Sequence, residues 1–159
     1  MIGNNELTLT GEDYGKAFTE VSFLLDMLVD TISTFVGKST PSLAVAAGRR
    51  MAVNMPAHLE ERTPAAALEE LVRIFRIQRM EIAAECRGGE AKLTIHDCPI
   101  GSVCRNRKME LDSSICQMFH YYVAGIAAEL CGSPARPKTL AVGETCTFSL
   151  AFSGIKPQP

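Results

Sequence analysis

The chain has no tryptophan, and aromatic residues make up only 6% of its 159 positions. It also lacks an excess of positive charge. Sixteen Lys and Arg stand against eighteen Asp and Glu, a net charge of −2, so the global basic footprint of a nucleic-acid-binding protein is missing. No apolar run is long enough to span a bilayer. The N-terminus, Met1-Ile2-Gly3-Asn4-Asn5-Glu6, lacks the basic and apolar regions of a signal peptide. A cytoplasmic protein without a nucleic-acid or membrane partner is therefore expected. There is no nucleophile elbow, no phosphate-binding Walker loop and no Gly-x-Gly-x-x-Gly fingerprint, which removes the common signatures of hydrolases, nucleotide-binding enzymes and dinucleotide-dependent oxidoreductases. His58 follows Pro56 in a loop and His96 alternates outward from Ile95. Neither has an evident carboxylate or nucleophile partner, and no catalytic residue is assigned.

What is present is enough for one ordinary domain over residues 1–159, with a hydrophobic fraction of 47%. Residues 1–11 read as a loose polar arm. A first helix is expected from about Asp13 to Val36, because Phe18, Val21, Leu25, Leu28, Ile32 and Phe35 recur at spacings of three and four. Phe23, Leu24, Met27 and Val29 widen the stripe. A helix apolar over so much of its circumference is either central or held in an oligomer interface, and a homodimer through this helix is expected. Thr40-Pro41 and Thr63-Pro64 open a second and a third helix. Gly48 and the alanines around it permit close packing of the second. Gly48-Arg49-Arg50-Met51 reads better as a basic helix face than as an anion site.

The period then changes from helical to alternating. Met80, Ile82, Ala84 and Cys86 share one face of a strand, Arg87-Gly88-Gly89 turns the chain, and Leu93 and Ile95 face together on the return strand. Residues 99–111 read as a basic loop. Asp112-Ser113-Ser114 then caps a fourth helix, Ile115 to Leu130, closed by Gly132 and Pro134. A second hairpin runs from about Lys138 to Phe152, with Cys146, Phe148, Leu150 and Phe152 on one face. The element order α-α-α-β-β-α-β-β implies an α+β fold, a four-stranded antiparallel sheet of two hairpins packed against about four helices.

Chemistry concentrates between Ile95 and Gly132, where Cys98, Cys104, Cys116 and Cys131 lie, four of the six cysteines. In a cytoplasmic chain these should be mostly reduced. Cys98 and Cys104 form a Cys-x5-Cys pair, Cys116 opens the fourth helix, and His120 lies four residues on, along the same face. A metal set of Cys98, Cys104, Cys116 and Cys146, with His120 as substitute for the last, has the ligand types zinc takes. The competing view is that these are buried free cysteines, which are common in cores. A redox role for Cys98 and Cys104 also stands, because Arg105, Arg107 and Lys108 would favour a thiolate, although the same charges are more simply a solvated run. Cys86 and Cys131 read as core or surface thiols. Phe119, Tyr122, Val123, Ile126, Phe148 and Phe152 are expected either to line an apolar ligand cavity between the fourth helix and the sheet or to fill an ordinary core.

Two stretches carry a family resemblance: Cys116-Gln117-Met118-Phe119-His120-Tyr121-Tyr122-Val123-Ala124-Gly125 and Gly143-Glu144-Thr145-Cys146-Thr147-Phe148-Ser149-Leu150. Over roughly Leu93 to Gly154 the chain resembles the vinyl-4-reductase domain family of predicted hydrocarbon- and small-molecule-binding proteins. The resemblance implies the fold of nitric-oxide-sensing ligand-binding domains and of vesicle-tethering subunits. It also implies dimerisation through N-terminal helices, zinc binding in several members, and sensing of aromatic compounds in some. The family's metal-binding cysteines fall on Cys116 and Cys146. Its remaining ligands, a carboxylate and a cysteine, would fall near Ala135 and Lys138, which cannot serve, so Cys98 and Cys104 are expected to replace them. The function expected is a non-enzymatic sensor or accessory domain that binds a small apolar ligand, zinc, or both, and signals to a separate protein partner. The alternatives are a structural interaction subunit with a filled core and a metal- or thiol-dependent accessory enzyme.

Overall fold

The computed structural model describes residues 10–155; the expected N-terminal arm lies outside these residues except for Thr10 and Gly11. Helix α1 (Gly11–Val36) begins with a capping box, in which Thr10 Oγ1 accepts from the Asp13 amide while the Asp13 carboxylate accepts from the Thr10 amide at 2.8 Å. Gly37 ends it at φ 57°, a left-handed position that costs a glycine little. A 3-10 turn (Gly37–Ser39) leads into α2 (Thr40–Asn54). Thr40 and Pro41 thus lie within the first turn of α2 and Ser39 is the cap, one residue earlier than the sequence suggests. Helix α3 (Pro64–Ile77) starts as expected, with Thr63 Oγ1 accepting from the Ala66 amide.

Strands β1 (Glu81–Arg87) and β2 (Glu90–His96) form the first hairpin. The stretch expected to be a basic loop is instead a helix, α4 (Pro99–Asn106), with Pro99 in its first turn. Its basic residues hid a short amphipathic pattern: Val103 and Cys104 are buried and Ile100 is half-buried. Helix α5 (Ser114–Cys131) follows and ends on Gly132 at φ 74°. Strands β3 (Ala135–Ala141) and β4 (Thr145–Phe152) complete one antiparallel sheet of order β1-β2-β4-β3. Pro137 is tolerated in β3 because β3 is an edge strand. The α+β class and the two-hairpin sheet are as the sequence implies.

Helix α5 is the axis of the molecule. One core joins α3 and α5 to the sheet and contains Leu71, Leu93, Ile95, Val123, Ile126, Phe148 and Leu150. On its other side α5 crosses α2 at a separation that only glycine permits. A Cβ on Gly48 would stand 2.0 Å from the Tyr122 carbonyl oxygen, and one on Gly125 would stand 2.2 Å from that of Val45. A second, smaller core holds α1 to the rest through Val29, Val103, Cys104, Ile115 and Cys116, with Leu25 packed against it. The Arg107 guanidinium reinforces that seam, meeting Asp26 at 3.2 Å and lying 4.8 Å above the Phe23 ring.

Candidate functional site

Helix α4, the first turns of α5 and the turn between β3 and β4 enclose a small cavity. Cys98, Cys116, His120 and Cys146 border it, and Ile100, Leu111, Phe119 and Val142 supply its apolar wall. Its volume, about 20 Å³, is room for roughly one water-sized species. The larger hollows, up to about 530 Å³, are open surface grooves away from these four donor side chains.

Each donor arrives by a different route. Cys98 precedes α4 and lies at its N-cap. Cys116 and His120 are one turn apart on α5, the spacing the sequence suggested. Cys146 comes from the second residue of β4, paired across the sheet with Ile95. Cys104 borders the same region from behind: its Sγ lies 3.5 Å from Cys116 Sγ and 3.6 Å from Ser113 Oγ. Cys98 and Cys104 thus stand at the N-cap and in the last turns of a helix rather than in a loop. Cys98 faces the cavity, and Cys104 faces Cys116.

His120 is the most constrained member. Its ring stacks on Phe148 at 4.3 Å with an 18° tilt. Nδ1 lies 3.1 Å from Thr139 Oγ1, and the Thr139 hydroxyl donates to Asp112 Oδ1 at 3.1 Å. A hydroxyl that spends its only proton on a carboxylate can only accept from the imidazole, so the network assigns the proton of neutral His120 to Nδ1. Nε2 is then left with a lone pair, 3.2 Å from Cys146 Sγ. Burial pulls the His120 pKa down from its ordinary value, against the opposing charge of Asp112, which keeps the ring neutral near pH 7. Burial also pushes the thiols up, Cys146 to about 12 and Cys104 to about 11, with the neighbouring thiols acting in the same direction. Cys98 is raised for the same first reason. These thiols are protonated at rest, and a thiolate would need a cation to stabilise it. Among the described residues no three His, Cys, Asp or Glu side chains already converge as a metal-holding group. The site consists of two close pairs, Cys104 with Cys116 and His120 with Cys146, rather than a closed tetrahedron.

The apolar residues expected to line a ligand cavity separate into two groups. Val123, Ile126, Phe148 and Phe152 are buried in the core between α5 and the sheet. Phe119 borders the cavity and stacks on half-buried Tyr122, ring centroids 6.4 Å apart. Cys131 is buried in the core and Cys86 is half-buried beside it, while His58 and His96 are exposed. Thr139 and Asp112, which orient the imidazole, carry no local sequence signal. Thr139 meets His120 because β3 passes α5, and it links the ring to Asp112 in the segment before α5; a register irregularity lies between Thr139 and Ala141.

No protein-family model matches the chain, and no curated protein matches it in sequence. Among solved structures, the phenol-responsive sensory domain of the transcription activator PoxR, determined with phenol, is similar over 85% of this chain and 74% of that one. The TM-score is 0.59 and the identity 17%, a likeness of fold. No helix among the described residues is long and apolar enough to cross a membrane.

Proposed function

We propose that this chain is a non-enzymatic binding domain, a sensor or accessory protein of the vinyl-4-reductase type, whose ligand enters the cavity between α4, α5 and the β3–β4 turn. The observation that carries this is the Asp112–Thr139–His120 chain, which turns a bare imidazole nitrogen toward Cys146 beside a cavity also bordered by Cys98 and Cys116. A carboxylate-backed histidine of fixed tautomer is the usual outer support of a metal ligand. Three thiols and one imidazole are a donor set of the kind zinc takes, and the cavity is of single-ion size. Cys98, Cys116, His120 and Cys146 are the residues that would hold the ion, which would supply the positive charge their thiolates lack. The test is elemental analysis of protein purified with neither added metal nor a metal-binding tag. About one zinc or iron per chain is expected, falling to well under half in Cys146→Ser. Wild-type protein free of metal, and unable to take up zinc in titration, would refute the reading.

A second reading concerns the same cavity. Its apolar wall, and the fold shared with a phenol-responsive sensory domain, favour a small aromatic ligand. A cavity of about 20 Å³ does not admit a ring as it stands, so Phe119 and the exposed β3–β4 turn at Val142 and Gly143 would have to swing outward. Calorimetric titration with phenol, in wild type and in a Phe119→Trp variant that fills the wall, tests this; equal binding by both places the ligand elsewhere. We also propose that α1 pairs with a second copy of the chain. Phe18, Val21, Leu24, Leu28 and Phe35 form an exposed apolar stripe along α1, flanking the residues that face its small core. A cytoplasmic location and a separate protein partner for the signal belong to the same proposal.

A further inference from the structure

Cys104 and Cys116 are buried neighbours, their sulfurs 3.5 Å apart, and both belong to the small core that holds α1 against α4 and α5. Cys104 is fully buried, whereas Cys116 borders the cavity. A cavity that accepts one water-sized molecule accepts a peroxide of similar size but not a bulky disulfide such as oxidised glutathione. From this we infer that Cys104 and Cys116 are a peroxide-oxidisable thiol pair, closing to a disulfide that staples α4 to the first turn of α5.

The chemistry balances in two steps. The Cys116 sulfur attacks one oxygen of hydrogen peroxide; the O–O bond breaks, Cys116 becomes a sulfenic acid, and the departing hydroxide takes the thiol proton as water. The Cys104 sulfur then attacks the sulfenic sulfur; the S–S bond forms, the S–O bond breaks, and the hydroxide released takes the Cys104 proton as a second water. Two thiols lose two electrons and two protons, and the peroxide is reduced to water. A dithiol reverses the bond by exchange once unfolding or digestion exposes it. Two other features give the closure a consequence. The sulfurs must approach from 3.5 Å to about 2 Å, so the end of α4 moves toward α5. The connection between them already holds Lys108 and Asp112 at positive φ, and Arg107 from the same segment grips Asp26 of α1. The thiol state is thus read at the seat of α1.

The inference goes beyond metal or ligand binding, and its test runs in excess chelator so that the two fail separately. Full-length protein is treated with hydrogen peroxide, remaining thiols are alkylated, and the product is digested with trypsin. Arg105, Arg107 and Lys108 lie between the two cysteines, so cleavage there places them on different peptides. The expected product is a peptide ending at Arg105 joined to the one beginning at Met109, lighter by two hydrogens than the separate pair, with fragmentation placing the link on Cys104 and Cys116. It should disappear after dithiothreitol and be missing in Cys116→Ser. In Cys104→Ala, with a wild-type far-ultraviolet circular dichroism spectrum as the check on folding, Cys116 should stop at the sulfenic acid and be trapped by dimedone. Recovery of both cysteines alkylated after peroxide, or a link from Cys116 to Cys98 or Cys146 instead, would overturn it.

Discussion

The crossing of α2 and α5 makes the most quantitative demand on the sequence. Replacing Gly125 by Ala places a methyl carbon 2.2 Å from the Val45 carbonyl oxygen, 2.9 Å from its carbonyl carbon and 3.0 Å from its Cα. An ordinary contact begins near 3.4 Å, so the helices must part by about 1.2 Å, and every side chain packed along that seam loses part of its dispersion energy. Backbone atoms form the obstacle, and no rotamer change relieves it. Overpacking of this kind costs about 3 kcal/mol or slightly more, while alanine in place of glycine inside a helix returns about 1 kcal/mol. The net is about 2 kcal/mol of destabilisation, or a melting temperature lower by about 4–8 °C for a chain of this size. Gly48→Ala, facing the Tyr122 carbonyl at 2.0 Å, should cost at least as much. The double variant should cost clearly less than the sum, because one separation of the helices accommodates both methyl groups. Urea unfolding of the three variants, followed by far-ultraviolet circular dichroism, measures this. A stability equal to or above wild type in either single variant would show that the helices do not approach as described.

Other consequences can be checked more briefly. His120 is buried with a depressed pKa, so below its unfolded value of about 6.5 the unfolded chain binds more protons than the folded one. Its contribution to stability is therefore present above that pH and lost as pH falls; a stability profile from about pH 7 to about pH 5 should drop more steeply in wild type than in His120→Gln. Cys98, Cys104 and Cys146 act oppositely, since their raised pKa values make the unfolded thiols ionise first, and metal-free protein should lose stability as pH rises past about 9. Thr139→Val removes the acceptor for His120 Nδ1–H and should weaken zinc affinity by roughly tenfold, as a competition titration would show; unchanged affinity would separate the network from the site. If metal ties α4 to α5, Cys116→Ser should lower the melting temperature and release metal together, and retention of both would dismiss Cys116 as a ligand. Leu24→Asp on the exposed stripe of α1 should convert a dimer to a monomer in sedimentation velocity, while leaving the far-ultraviolet spectrum intact.

The order of elements was written in local patterns. The capping residue at Thr63, the change from a three-to-four spacing to alternation near Met80, and the Gly132 stop are short-range effects of backbone and side-chain sterics, which is why they survive reading one residue at a time. Helix α4 escaped because eight residues hold barely two turns, too few for an apolar period to stand out among Arg105, Arg107 and Lys108. Proximity of Cys116 and His120 was also local, one turn of α5. Everything else at the site came from the tertiary structure. Only the packing of β3 beside α5 brings Thr139 between Asp112 and the imidazole, and only the register of β4 brings Cys146 to its other nitrogen. The sequence could name Phe119, Val123, Ile126, Phe148 and Phe152 as apolar but not divide wall from core, because a cavity is the volume that packing leaves over, and no single residue encodes it.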